Sequence, residues 1–212
     1  MDITNLREQY KKGSLSKKDV LKDPIAQLVN WVNEAINAKV PEPNAMCLAT
    51  VSEKGKPSAR IVLLKEISAT GIIFYTNYES RKGREIASNN DVAIVFNWLE
   101  LQRQVRIEGT AKRISDEKSS SYFQSRPKES QLGALVSHQS TVIENRTILE
   151  EKLENLATLY KEQEMISKPD YWGGYHIEIE SIEFWQGRQS RLHDRILFSG
   201  TDSGWSIDRL SP

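Results

Sequence analysis

Cysteine is nearly absent from this 212-residue sequence, where Cys47 stands alone. A single thiol excludes an internal disulfide and any zinc or iron–sulfur site built from several cysteines, and Cys47 lies in an apolar run where a buried thiol is ordinary. An excess of either charge is missing too, with 29 Lys and Arg against 29 Asp and Glu. That balance is unlike the surface of a polyanion-coating protein, so nucleic acid is not an expected partner. No stretch approaches the roughly 18 apolar residues of a membrane span, and residues 1–23 carry scattered charges without the apolar core of a secretory signal. No membrane association and a cytoplasmic location are the expectations. Also missing are G-x-G-x-x-G after a strand, G-K-[ST], H-E-x-x-H and G-x-S-x-G. A Rossmann cofactor site, a kinase and a triad hydrolase therefore lack support.

The composition that remains is that of an ordinary globular chain, 38% hydrophobic and 27% charged. Its length suits one domain. Residues 1–22 are polar and read, without context, as a mobile tail whose ordering would need a partner surface; residues 23–212 read as a single domain. Asp23-Pro24 is a helix start, and Ile25, Leu28, Val29, Val32 and Ile36 follow at helical spacing until Pro41 and Pro43. From Ala45 the period changes to that of strands: Met46–Val51 and Ser58–Leu64 flank a turn, and Ile72–Thr76, Val92–Trp98 and Gln104–Ile114 continue the pattern. Five strands before any long helix favour an antiparallel sheet curling into a barrel over alternating βαβ units. Glu79–Asn89 and Asp116–Ser125, the latter behind Ser115, read as helical excursions. Thr141-Val142-Ile143-Glu144 fits a capping box ahead of a helix carrying Leu149, Leu153, Leu156 and Tyr160. Strands return at Tyr175–Glu180, with His176 on the solvent face, and at Ile196–Phe198 and Trp205–Leu210.

Chemistry gathers in three places. Arg60-Ile61-Val62-Leu63-Leu64-Lys65 is an apolar strand bracketed by cations; period-2 geometry would set residues 60 and 65 on opposite faces, implying two anions or two sides of one site. Tyr75-Thr76-Asn77 leads into Ser80-Arg81-Lys82-Gly83-Arg84, where a helix N-terminus with adjacent cations can cradle a phosphate. Trp185 to Arg195 places Arg191, His193, Asp194 and Arg195 in a loop between strands, with His193 the best single candidate for proton chemistry. Each also has a plain structural reading, as solvated strand-end charges, a basic helix face and a structural histidine. Pattern alone therefore stops at a barrel-like protein able to bind phosphorylated aromatic ligands.

In this order and spacing, the clusters resemble the pyridoxamine/pyridoxine 5′-phosphate oxidase family of FMN-binding split β-barrel homodimers. The resemblance begins at Leu6-Arg7-Glu8-Gln9-Tyr10 and ends at Trp205-Ser206-Ile207-Asp208-Arg209-Leu210. Its most specific pieces are Arg60–Lys65, Phe74-Tyr75-Thr76-Asn77 with Ser80-Arg81-Lys82, Tyr122-Phe123-Gln124-Ser125-Arg126-Pro127, and Phe184-Trp185-Gln186-Gly187 running on to Arg191-Leu192-His193-Asp194-Arg195. It implies a mainly β fold with added helices, and FMN held by Arg60, Ile61, Val62, Leu63, Leu64, Lys65, Tyr75, Thr76, Arg81, Lys82, Gln104, Gln139, Ser140, Trp185 and Arg195.

It further implies substrate contacts from Lys65, Tyr122, Arg126 and Ser130 to a second phosphate, and from Arg191 and His193 to the pyridine ring. Arg7 and Tyr10 would lie on an N-terminal segment, residues 1–22, that closes over the site. The implied reaction is oxidation of pyridoxamine or pyridoxine 5′-phosphate by O2, with a homodimer in which both subunits build each FMN site. No role falls to Arg188, Gln189 or His138. The alternatives are a split-barrel flavoprotein with another substrate and a non-catalytic FMN or pyridoxal-phosphate carrier, which would not require two phosphate positions.

Overall fold

The computed structural model describes residues 1–6 and 8–212. The first helix, α1 (Pro24–Asn37), starts where the sequence places it: Asp23 accepts a hydrogen bond from the Ile25 N–H, and Pro24 occupies the first turn. Its Leu28, Trp31 and Ala35 are buried against the sheet. The hairpin β1 (Ala45–Val51) and β2 (Pro57–Leu63) follows. Its turn passes through Gly55, whose φ of 71° suits a residue without a side chain. Then come β3 (Glu66–Ile67), β4 (Gly71–Asn77), α2 (Arg81–Ser88), β5 (Asp91–Trp98) and β6 (Arg103–Arg113). Helices α3 (Asp116–Ser125), α4 (Lys128–Val136) and α5 (Thr147–Leu159) precede β7 (Trp172–Gln186), β8 (Asp194–Thr201) and β9 (Gly204–Arg209).

The strands form one nine-stranded sheet in the order β2-β1-β5-β6-β7-β4-β3, with β8 on β7 and β9 on β8, every pairing antiparallel. This is a mainly β split barrel with five peripheral α-helices among the described residues. The split lies on β7. Up to Glu178 this strand pairs with β4, and from Ser181 it pairs with β8, while β6 runs along both halves. At the change Glu180 has no partner on β6, a bulge that bends the strand and increases its twist. Opposite it sits Gly109, where a Cβ would lie 2.0 Å from the Glu178 carbonyl oxygen, so only glycine lets the two backbones approach. Leu48, Phe74, Phe96, Ile177, Phe184 and Phe198 fill the barrel. A smaller cluster of Phe123, Leu132, Ile166 and Trp172 fastens α3 and α4 to the start of β7.

Three sequence expectations need correction. The Thr141–Glu144 capping box does not form: α5 begins six residues later, at Thr147, with Asn145 Oδ1 accepting from the Ile148 N–H (3.3 Å), while the Thr141 hydroxyl donates to the His138 carbonyl (2.7 Å). The preceding loop is held elsewhere, by bonds of Gln139 and Ser140 to α2 and its neighbour β4, and this displaces the helix start. Helix α4 and strand β3 were not legible, the first because no side chain caps it and the second because it spans two residues.

His176 is half-buried rather than on a free face, its Nε2 2.9 Å from Ser68 Oγ. The N-terminal segment finds its ordering surface on the chain itself. Lys11 and Lys12 N–H donate to Gln102 Oε1 (2.8 and 3.1 Å), the Leu15 N–H donates to Asp194 Oδ2 (3.0 Å), and Leu15 is buried.

Gly109→Ala is expected to lower the melting temperature by several degrees, the scale of a ~1–2 kcal/mol backbone clash in a chain of this size. An unchanged Tm would show that the bulge relaxes without penalty.

Candidate phosphate-binding site

A cavity of about 840 Å³ opens beside β2 and β4 and is walled by α3 and α4. Arg60 reaches it from the inner face of β2, its guanidinium donating to Leu48 O (3.2 Å), Thr50 Oγ1 (2.5 Å), Ser58 Oγ (2.5 Å) and Glu85 Oε2 (3.2 Å). Lys82 reaches it from the first turn of α2, a helix capped by Ser80, which accepts from the Gly83 N–H. Its Nζ donates to Thr76 Oγ1 (3.0 Å), Ser80 Oγ (3.3 Å) and Gln139 Oε1 (2.6 Å), all neutral oxygens. Burial, and then the Arg60 charge, push the pKa of the Lys82 ammonium down to about 8. A desolvated cation lacking a carboxylate, at a helix N-terminus, is suited to an anion.

The opposite wall is aromatic. Tyr75 and Tyr122 stack with centroids 3.8 Å apart at 19°, and Trp172 lies near-parallel to Tyr75 at 5.5 Å. The Arg126 guanidinium sits 4.7 Å from the Trp172 ring centre, and its buried Nη1 has no hydrogen-bond partner among the described residues. A buried guanidinium nitrogen without an acceptor is costly unless a ligand supplies one. Lys65, Tyr122 and Ser130 line the cavity with it. Strand parity does not separate Lys65 from Arg60, because β2 ends at Leu63 and Lys65 leaves the strand before facing the same cavity. One cavity thus gathers four cations, Arg60, Lys65, Lys82 and Arg126.

The residues expected from sequence fall into two sets. Arg60, Ile61, Val62, Leu63, Lys65, Tyr75, Thr76, Lys82, Tyr122, Arg126, Ser130 and Gln139 all line this cavity. Arg81 and Ser140 meet beside it, the Arg81 N–H donating to Ser140 Oγ (3.2 Å), and the Arg81 side chain pairs with Glu85 at 2.8 Å. Leu64 points into the core instead. Arg7 lies outside the described residues.

The second set gathers at the far end of the sheet. The ring centre of Tyr10 is 5.7 Å from that of Trp185 and 5.6 Å from that of His193, while Gln104 and Arg195 flank Trp185 in register on β6 and β8. Arg195 is held by Glu183 at 2.7 and 2.9 Å. His193 Nδ1 accepts from the Arg188 N–H (3.1 Å), so the neutral ring carries its proton on Nε2; burial, and then Arg191, lower its pKa. Ser190 and Arg191 are consecutive residues at positive φ, 57° and 61°, a strain met at functional loops. Trp172 and Trp185 stand thirteen residues apart on β7, roughly 40 Å along the strand, and none of the second set lines the cavity.

Sequence reasoning missed Trp172 and Glu85. Trp172 was readable only as a large aromatic ahead of Gly173-Gly174, and Glu85 only as a lone acid among helix cations.

Fold and cavity define a class, a split-barrel protein with a cationic, aromatic-walled ligand cavity. The family model described as "Pyridoxamine 5'-phosphate oxidase" matches residues 32–160, and one described as "Pyridoxine 5'-phosphate oxidase C-terminal dimerisation region" matches residues 172–212. The chain belongs to the pyridoxamine 5′-phosphate oxidase family.

It is 50% identical to a pyridoxine/pyridoxamine 5′-phosphate oxidase of Paraburkholderia xenovorans over 212 residues, with 99% of each chain covered. It is 50% identical to one of Burkholderia lata over 213 residues, again covering 99% of each. Among solved structures, PhzG from Burkholderia lata, in complex with tetrahydrophenazine-1-carboxylic acid, superposes with a TM-score of 0.88 at 29% identity, covering 93% of this chain and 98% of that one. A pyridoxamine 5′-phosphate oxidase-related, FMN-binding protein of Nostoc punctiforme shares the fold, with a TM-score of 0.64 at 17% identity over 89% and 95% of the two chains.

Because Lys82 loses its proton as the pH rises through about 8, affinity for a phosphate monoester is expected to fall above that pH, by about tenfold at full deprotonation. Fluorescence titration with FMN as the probe checks this, and Lys82→Met should bind weakly without the pH step. A wild-type affinity flat through pH 8 would remove Lys82 from the site.

Proposed function

We propose that the chain is an FMN-dependent oxidase that converts pyridoxamine 5′-phosphate and pyridoxine 5′-phosphate to pyridoxal 5′-phosphate, using O2 and releasing hydrogen peroxide, with ammonia from the amine. The carrying observation is that Arg126 Nη1 has no partner among the described residues, in the same cavity as a Lys82 that they pair only through neutral oxygens. Four cations in one cavity suit two phosphates, one on the cofactor and one on the substrate. The curated relatives' names point to the same reaction.

FMN, when bound, supplies the ring that accepts two electrons from the substrate and passes them to oxygen. Arg60, Arg81 and Lys82 would hold its phosphate, and the amide of Gln139 can bond either a donor or an acceptor. Lys65, Arg126, Tyr122 and Ser130 would fix the substrate phosphate, restricting the pyridine ring to one orientation before reaction. His193, with Nδ1 committed to the Arg188 N–H, can present only Nε2 to a ligand, and Arg191 would set the ring beside it.

We infer a homodimer in which the set containing Tyr10, Gln104, Trp185, Arg191, His193 and Arg195 from one copy completes the cavity of the other. Three observations support this: the separation of the two sets along β7, the match of residues 172–212 to a dimerisation region, and the exposed Ile61 and Leu63 of β2 beside the cavity. In that reading Tyr10 and Arg7 belong to a segment that covers the site.

A second reading is an oxidase of a non-phosphorylated tricyclic acid, favoured by the PhzG likeness. Adding pyridoxamine 5′-phosphate to the flavin-loaded protein without oxygen separates them. Bleaching of the flavin absorbance is expected, and an unbleached flavin rejects the proposal. Arg126→Met is expected to raise KM for the phosphorylated substrate by about thirtyfold, the worth of one charge-assisted bond, with FMN still bound. An unchanged KM would place the substrate phosphate elsewhere.

A further inference from the structure

A carboxylate sits among the cations that would hold the FMN phosphate. The Glu85 side chain is only 7% exposed. Its Oε2 accepts from Thr50 Oγ1 (2.5 Å), Ser58 Oγ (2.6 Å) and Arg60 Nη2 (3.2 Å), and its Oε1 accepts from Arg81 Nε (2.8 Å). Placed there for charge alone it would be a liability, since a fixed negative charge repels an incoming phosphate. Its effect on geometry is different. Arg81 has a side chain 60% exposed, which unrestrained would sample many rotamers, and Arg60 spans β1 and β2 to reach the same carboxylate. Thr50 and Ser58 each bond both Glu85 and Arg60, so carboxylate, hydroxyls and guanidinium form one closed network.

We propose that Glu85 is the positioning residue of the phosphate cradle, holding Arg60 and Arg81 in place while leaving the cradle, with Lys82, a net charge of two positive. That charge complements a phosphate monoester, which carries close to two negative charges near neutrality. Burial alone would raise the Glu85 carboxyl, but bonds from Ser58, Thr50, Arg81 and Arg60 outweigh it and bring its pKa to about 2, so the carboxylate is ionised at neutral pH. The inference rests on the reading that this cavity takes FMN.

The test compares FMN with riboflavin, which lacks the phosphate, by fluorescence titration of the flavin-free protein. Wild type is expected to prefer FMN strongly. Glu85→Gln, similar in shape and uncharged, is expected to bind FMN about tenfold more weakly while its riboflavin affinity stays within about twofold. Thr50→Val, which removes one bridging hydroxyl and no charge, should show the same selectivity at about threefold. Glu85→Gln binding FMN as tightly as wild type, or more tightly as the Coulomb term alone requires, overturns the positioning role. Equal loss of both flavins in both variants also overturns it, because it would mark a purely structural residue. A wild-type protein that does not distinguish FMN from riboflavin defeats the FMN reading itself, a separate result.

Discussion

Strand β7 exchanges partners midway along its length, and much of the molecule follows from that constraint. A fifteen-residue strand in a twisted sheet cannot stay straight, and the bulge at Glu180 lets it leave β4 and take up β8 without breaking its ladder to β6. Gly109 makes the bend possible by allowing close backbone approach. One end of β7 then delivers Trp172 to the wall of the cavity, and the other delivers Trp185 to the Tyr10 and His193 cluster. The split of the barrel and the separation of the two site halves are therefore one geometric fact.

Charge is distributed between those halves by a consistent rule. Arginines that must hold one orientation are tied to buried acids, Arg60 and Arg81 to Glu85, and Arg195 to Glu183. Two cations of the cavity are held by groups that leave their charge uncompensated: Lys82 by neutral oxygens, Arg126 by the face of Trp172. Burial without a counter-charge is unfavourable, and that unfavourable term is relieved when an anion binds. Asp194 extends the first rule to the N-terminal segment, accepting from the Leu15 N–H and pairing with Arg188 and Arg209 beside the His193 loop.

Local signals in the sequence carried far where the determining contacts are local. Asp23-Pro24 and Ser115 start their helices because capping is settled within three residues. Strands β1, β2, β4, β5 and β6 followed from short β-branched and apolar runs. The Thr141–Glu144 box failed for the converse reason: Gln139 and Ser140 bond to Thr76, Lys82 and Arg81, and these distant contacts fix the loop before a local cap can form. Most of the cavity residues were legible as motifs, whereas Trp172 and Glu85 were not, since each matters through partners distant in sequence.

By itself the sequence determined a mainly β chain without disulfide, dinucleotide or phosphate-loop chemistry, its cation clusters and its resemblance to a family of phosphate-handling oxidases. These rest on residue type, spacing and local hydrogen bonding, which need no tertiary partner. Tertiary structure alone decided that Arg60 and Lys65 face one cavity, that Arg126 buries a nitrogen with no partner among the described residues, and that Glu85 binds two arginines. It also gathered Tyr10, Trp185 and His193 outside that cavity. Each depends on where strands end and how the sheet bends, which no local pattern encodes.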